Sequence, residues 1–401
     1  MVLLIPYDPF EPFNNLVTAI KCKPDILLIF GNVDAESTRA KYLRKIRHLG
    51  LMDTQIRVLA CDILDLNSMI SVLHDCIAEY GAANCMLDAT GGDERLLFAA
   101  GCVCRSEPVP VVLYSLVKKS FKCLNGDLPE VFRDPDIELS AASRIEINDG
   151  QMLHSGHVNS DAMQDGFWEI AERIFFVYME NRAKWPRFTL YMQQLLQQCD
   201  ATDRDGLSFV GATGFNGGDG RAVQMDLAIL RGLMNAGAIT EASVQGKKAR
   251  IRCCSHQIQR ALMDAGAWLG LYLFKRLKAC AEIDDVQLNQ VLSWDSDNDH
   301  TINELDIIAT AGASIFFISC KTGTPNMNML YEIKTMADRF GGNYSIPVLA
   351  TACNMSEDAP VLLRRASAMG IVILDAEDLV EKNPAEELMA ESRKLLSSYS
   401  W

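Results

Sequence analysis

The chain has 401 residues, of which 49 % are hydrophobic and 22 % charged, with 26 glycines and 13 prolines. At roughly 100–200 residues per domain this is two or three domains with room for real cores, and the composition excludes a disordered chain, a collagen-like repeat or a coiled-coil rod. Thirty-eight basic against 52 acidic side chains give a charge of −14. That is the wrong sign for holding nucleic acid non-specifically through its phosphates, so any chemistry on nucleic acid needs a local basic groove or a metal ion.

No apolar run approaches the ~20 residues of a membrane span. The opening segment, MVLLIPYDPF, lacks a basic n-region and predicts no signal peptide. Thirteen cysteines, an odd number scattered without a CxxC pair, fit the reduced thiols of a cytoplasmic protein.

The first 115 residues alternate in the βαβ manner. Apolar runs at 2–6, 25–30, 56–61, 84–89 and 109–115 predict buried parallel strands, with amphipathic stretches at 11–21, 35–49, 66–80 and 93–104 between them. That is a doubly wound sheet, which binds ligands at the carboxyl ends of its strands. Residues 120–160 are polar and are expected to close this domain as hairpins. A helical block (162–200) and a loop too glycine-rich for regular structure (206–221) follow. A helix over 226–240 and a β-ribbon over 242–255 predict a small winged-helix-like connector. Next come a helix (256–280), strands at 285–294, 304–310 and 314–320, a helix (327–340), a strand (346–352), a helix (360–369) and a strand (371–376). The expected domains are therefore 1–160, 161–255 and 256–401.

The strongest local feature is the hairpin over 303–321. Asp306 lies on its first strand and Lys321 ends its second, so pairing is expected to make them neighbours at one end. A carboxylate holds a hard divalent cation through oxygen, the cation polarises a phosphate and acidifies water, and a lysine neutralises developing charge. Glu304, two residues before Asp306, is expected on the same face. The plainer alternative is an amphipathic hairpin with a solvated salt bridge.

The αβββαβ order around this hairpin is that of the PD-(D/E)xK restriction-endonuclease-like superfamily. More narrowly, Ala267, Trp268 and Leu269, then Asn303, Glu304, Leu305 and Asp306, then Ser319, Cys320 and Lys321, then Arg339, Phe340, Gly341 and Gly342 resemble the C-terminal domain of the CRISPR-associated CARF nucleases. In that family a CARF domain senses cyclic oligoadenylate and a restriction-like domain cuts nucleic acid. The N-terminal half fits too: Asp88, Ala89, Thr90, Gly91 and Gly92 follow the fourth strand, where CARF domains carry a Thr-Gly-Gly motif.

The resemblance implies an α/β fold: a Rossmann-like CARF domain, a winged-helix-like connector and a restriction-endonuclease-like domain. It makes Asp306 and Lys321 metal-site residues with Glu304 as helper, and Mn²⁺ or Mg²⁺ the metal. Two positions depart from the family pattern. Gly270 stands where Glu often follows Trp-Leu, and Ser319 stands at the acid of (D/E)xK. Glu332, on the following helix, is a candidate migrated acid, or else a surface glutamate.

At the other site, glycines let backbone N–H groups approach an anion at a helix N-terminus. Thr90, Gly91, Gly92 and Asp93 are therefore candidates for holding cyclic oligoadenylate, with Tyr7, Asp8, Pro9, Phe10, Asn14 and Asn15 after the first strand and Gly31 and Asn32 after the second. Turn chemistry and helix capping are the plain reading of the same residues.

Other signals are discounted. Asp295, Asp297 and Asp299 alternate as in an EF-hand loop, but His300 replaces the required glycine. The glycine-rich loop lacks the Gly-Lys-Ser/Thr of a P-loop. Cys253, Cys254 and His256 lack a second ligand pair for zinc, and His154 and His157 lack a nucleophile partner. Lys247, Lys248, Arg250 and Arg252 are the one compact basic cluster, a phosphate contact or a solvated face.

The expected protein is a homodimer activated by cyclic tetra-adenylate and cutting single-stranded DNA or RNA. Its rivals are a cyclic-oligoadenylate sensor with an inert nuclease fold and a ring nuclease that degrades the cyclic nucleotide. A Rossmann dehydrogenase ranks behind these, since no GxGxxG follows the first strand.

Overall fold

A computed structural model describes residues 1–46, 49–137, 139–153, 166–198, 203–216, 222–294 and 302–399. His154, His157, Asp295, Asp297, Asp299, His300 and residues 217–221 of the glycine-rich loop lie outside them.

The N-terminal part runs β1 (Val2–Pro6), α1 (Pro12–Cys22), β2 (Ile26–Gly31), α2 (Ala35–Lys45), β3 (Gln55–Ala60), α3 (Leu66–Tyr80), β4 (Cys85–Asp88), α4 (Glu94–Ser106), β5 (Val111–Ser115) and β6 (Ser120–Cys123). The strands form one sheet in the order β3-β2-β1-β4-β5-β6, parallel except for β6. The order reverses direction beside β1, so the loops after β1 and β4 face one another at the carboxyl edge, where doubly wound sheets bind ligands. β1 is buried along its whole length, because helices cover both faces.

Next come α5 (Ala141–Ile147) and β7 (Gln151–Leu153). These were expected to close the first domain. Instead β7 pairs with a strand of the C-terminal sheet, and Ala141 and Ile145 of α5 enter the core beneath that sheet. Hairpins were expected from polarity alone, but the apolar face of α5 needs a partner and finds it across the domain boundary.

The connector comprises α6 (Phe167–Glu180), α7 (Trp185–Gln198), β8 (Ser208–Ala212), β9 (Gly214–Asn216), β10 (Ala222–Gln224), α8 (Leu227–Asn235), β11 (Ile239–Gln245) and β12 (Lys248–Cys253). The three-stranded sheet β11-β12-β8 with its helices is the expected winged-helix-like unit. The glycine-rich stretch, read as too irregular for secondary structure, contains β8 and β9: β8 is pinned by pairing to β12, and β9 pairs with β10.

The C-terminal part runs α9 (His256–Ala261), α10 (Ala267–Lys278), β13 (Asp285–Ser293), β14 (Ile302–Ala311), β15 (Ser314–Lys321), α11 (Met327–Gly341), β16 (Ser345–Thr351), α12 (Met355–Asp358), α13 (Pro360–Ala368), β17 (Val372–Leu374), α14 (Ala376–Glu381) and α15 (Pro384–Ser397). The single helix expected over 256–280 is broken at 262–266, where Asp264 caps the Gly266 N–H. The sheet order is β17-β16-β15-β14-β13-β7, with α10 packed on one face and α11 on the other. The connector shares the α10 core: Phe175 stacks on Tyr272 at 3.8 Å and Trp168 on Phe274 at 5.1 Å. Among the described residues no helix is long and apolar enough to cross a membrane.

Arg144 of α5 joins the two sheets. It is fully buried, donates from Nη2 to the Ala313 carbonyl at 2.9 Å, and lies 4.1 Å over the Phe13 ring of α1. Burial lowers its pKa to about 10, which leaves it charged at neutral pH. Its planar face does the packing, and a lysine has none. Arg144→Ala is expected to lower stability by about 2–4 kcal/mol in denaturant unfolding. Arg144→Lys should recover less than half of that loss.

Candidate functional site

β14 and β15 pair from Ala311↔Ser314 to Ile307↔Ile318 and no further. The next residue of β14 is Asp306. Its Oδ2 accepts the Cys320 backbone N–H at 2.7 Å and the Ser319 hydroxyl at 3.4 Å. The carboxylate thus takes the N–H that the ladder leaves, in a charge-assisted bond. Burial pushes the Asp306 carboxyl above the usual range, while the Cys320 N–H and the nearby Lys321 ammonium pull it back.

Asp306 and Lys321 lie at the same end of the hairpin, as expected, though not directly opposite one another. Continued past its last pair, the register sets Asp306 opposite Ser319 and Glu304 opposite Lys321. Lys321 still lies close enough to bias Asp306 electrostatically, as does the exposed Glu304. Ser319, at the motif's acid position, donates to Asp306 instead of supplying a second carboxylate. Glu332 is exposed on α11 and shares no hydrogen bond or ion pair with Asp306 or Lys321 among the described residues. Gly270 is buried on α10, where an added Cβ would sit 3.9 Å from Leu288 of β13.

These donors can be tested against a divalent cation. Asp306 Oδ1 receives no hydrogen bond from the described residues, and Glu304 is open to solvent. No group of three or more His, Cys, Asp or Glu side chains gathers anywhere among the described residues. That rules against a closed zinc cage there. Asp306 Oδ1 and the exposed Glu304 are oxygen donors of the kind Mg²⁺ or Mn²⁺ takes, with water and phosphate to complete a shell.

The second site lies at the carboxyl edge of the first sheet. Asp8 Oδ1 accepts the N–H groups of Phe10 and Glu11, and Asp8 N–H donates to Asn15, which is fully buried and bonded to Pro6 and Tyr42. Asp8 and Asn15 therefore shape the loop, while Phe10, 84 % exposed, projects from it beside the exposed Pro9. Tyr7 is half-buried against Gly31, and Asn32 is exposed. The Thr90 hydroxyl donates to Asp88 at 2.5 Å and accepts the Tyr114 N–H at 2.9 Å, so it is spent on tying β4 to β5. Asp93 caps α4 and pairs with Arg95.

Between these lie Gly91 and Gly92. A Cβ on Gly91 would meet Asn14 at 2.5 Å, and one on Gly92 would meet Pro6 at 2.5 Å. Glycine is required because the two loops touch. No acceptor among the described residues takes the N–H of either glycine. Two N–H groups without an acceptor among the described residues, in the turn just before α4, are what an anion needs.

Sequence reasoning missed Asp88, Glu11 and Tyr344 as site residues. Asp88 is buried, and its Oδ1 holds Thr90 by both N–H and hydroxyl. Glu11, pushed up by burial, accepts the Asn343 N–H at 2.7 Å. Tyr344 donates to Asn14 at 3.0 Å. The last two contacts are more than 300 residues apart in the chain and leave no local signal. Of the basic cluster, Arg252 is paired with Asp203 and Asp205, leaving Lys247, Lys248 and Arg250 exposed.

Residues 257–388 match the Card1-like endonuclease domain family. None of the curated proteins matches this chain in sequence. In structure the chain is similar to Can2 from Sulfobacillus thermosulfidooxidans in complex with cyclic tetra-adenylate, at TM-score 0.63 and 15 % identity over 98 % of this chain and 97 % of that one. It is also similar to protein VC1899 from Vibrio cholerae, at TM-score 0.69 and 15 % identity over 98 % of each chain. At such identity the likeness is one of fold, and it spans both domains and the connector.

Burial raises the Asp88 carboxyl to about 6. A carboxyl raised above its unfolded value favours the folded state below pH 4, and that contribution is lost as pH rises through 6. Asp88→Asn keeps an acceptor for the Thr90 N–H without the titration. From pH 4 to pH 7.5 the variant should gain up to about 3 kcal/mol relative to wild type, read by denaturant unfolding at each pH.

Proposed function

We propose that this chain, whose C-terminal domain is of the Card1-like endonuclease type, is a metal-dependent nuclease that hydrolyses phosphodiesters in single-stranded DNA or RNA when cyclic tetra-adenylate occupies its N-terminal domain. The observation that carries the reading is the Asp306 carboxylate, anchored by one oxygen on the Cys320 N–H and free at the other, beside a lysine that makes no ion pair among the described residues. Asp306 and Glu304 are the residues to hold Mn²⁺ or Mg²⁺, which when bound polarises a phosphate and lowers the pKa of water. The Lys321 ammonium is near enough to act on Asp306 and in this reading stabilises charge that develops on the phosphate oxygens. Ser319 and the Cys320 N–H fix the carboxylate, so that its geometry is set before substrate arrives.

Gating rests on Asn14. It touches Gly91 on the ligand side and takes the Tyr344 hydroxyl on the other. Tyr344 leads into β16, whose Thr351 pairs with Lys321. A ligand that moves the Gly91 turn therefore acts on a strand that ends beside the catalytic lysine, and its effect is the difference in its affinity for the two arrangements. Two copies are taken to pair through their N-terminal domains, so that one two-fold-symmetric ring lies on the axis. The setting is the cytoplasm, in type III CRISPR defence. The second reading, a sensor with an inert nuclease fold, is favoured by Gly270 and by the missing acid at Ser319.

Labelled single-stranded DNA and RNA, incubated with Mn²⁺ or Mg²⁺ and with or without cyclic tetra-adenylate, should be cut only with ring and metal together. Asp306→Ala and Lys321→Ala should each reduce cutting by at least about 100-fold while ring binding persists. Tight ring binding without cutting in any combination would leave the inert-fold sensor. Tyr344→Phe removes one neutral hydrogen bond and should lower the ratio of stimulated to unstimulated cutting by about fivefold.

A further inference from the structure

Among the described residues four that are not glycine have left-handed backbone: Lys23, Lys119, Asp149 and Asn289. Lys23 caps α1, and Lys119 and Asp149 lie in turns. Asn289, at φ 51°, lies inside a strand, β13. Its ladder with β14 pairs Leu288 with Ile307 and Gln290 with Leu305. The position between them sets Asn289 directly opposite Asp306.

At this level both strands change sides. Val286 and Leu288 of β13 pack with Ile307 and Ala309 of β14 in the core under α10. Leu292 and Leu305 pack in the core under α11. In an unbroken strand Leu288 and Leu292 share a face, and so do Leu305 and Ile307. The alternation therefore inverts on both strands at the Asn289–Asp306 pair, where the ladder between β14 and β15 also ends. In a regular β14, Asp306 would follow Ile308 into the core under α11 as an unpaired buried charge. At the inversion it enters neither core and meets the Cys320 N–H.

We infer that Asn289 is a positioning residue for Asp306: its left-handed backbone produces the inversion that turns the carboxylate into the gap between β14 and β15. Asparagine accepts positive φ more readily than other side chains, and a β-branched residue resists it. The functional consequence rests on the nuclease reading; the structural one does not.

The test uses the full chain with Asn289→Gly, Asn289→Ala, Asn289→Val and, for reference, Asp306→Ala. The first readout is amide hydrogen exchange at Cys320. Wild type and the glycine variant should protect this amide alike, and the alanine and valine variants should lose protection toward the level of Asp306→Ala. The second readout is Mn²⁺ binding by electron paramagnetic resonance, where Asn289→Val should weaken affinity by at least about tenfold and Asn289→Gly should not. Equal Cys320 protection in all three Asn289 variants overturns the inference. Should Asn289→Val fail to fold, Asn289→Ala compared with Asn289→Gly decides it. A wild type that binds no Mn²⁺ counts against the nuclease reading alone, because the exchange readout still decides the role of Asn289.

Discussion

The two sheets are held together by buried polar groups that each serve both sides. Arg144 binds the Ala313 carbonyl in the turn between β14 and β15 while lying on Phe13 of α1, which covers the first sheet. Glu11, before α1, holds the Asn343 N–H that follows α11. Burying such groups is costly, and with Arg144 Nε and Nη1 and Glu11 Oε1 lacking hydrogen-bond partners among the described residues, the contacts these side chains do make are expensive to lose. The relative position of the two candidate sites follows from that constraint. The loop that shapes the Gly91–Gly92 edge is the same loop whose Glu11 reaches Asn343 beside the second sheet.

Each site is built where regular structure stops. At the first edge, β1 and β4 end beside one another and two glycines let their loops meet, leaving N–H groups free. At the other, β14 and β15 part after Ile307 and Ile318, and Asp306 takes the place of the missing ladder bond. At a charge of −14 the surface as a whole repels a polyanion, so under the proposed function phosphate groups would be held by such local devices.

Much of this was legible along the chain. The βαβ rhythm of the first 115 residues, the connector ribbon and the β-strands around Asp306 are local patterns of apolar spacing. The motif around Trp268, Asp306 and Lys321 lies within the span that matches the Card1-like endonuclease domain. Less legible were the turn of α5 and β7 toward the second sheet, the strands in the glycine-rich stretch, and the offset that sets Ser319 rather than Lys321 opposite Asp306. Each depends on a partner distant in sequence, or on a ladder that ends early.

The amino-acid sequence by itself determined the two doubly covered sheets and the residue types at both sites, because periodicity and short motifs are local properties. Tertiary structure alone decided which of those residues are spent on holding the fold. Thr90, Asp8, Asn15 and Asp93 are consumed by hydrogen bonds that hold the fold, while Asp306 keeps one oxygen free of the described residues. It also decided that Asn14 reaches Tyr344 and that the β13–β14 register, broken between Leu288↔Ile307 and Gln290↔Leu305, leaves Asn289 and Asp306 at the same level. Such pairings are set by register and by close packing of distant segments, and neither is written in any short stretch of the chain.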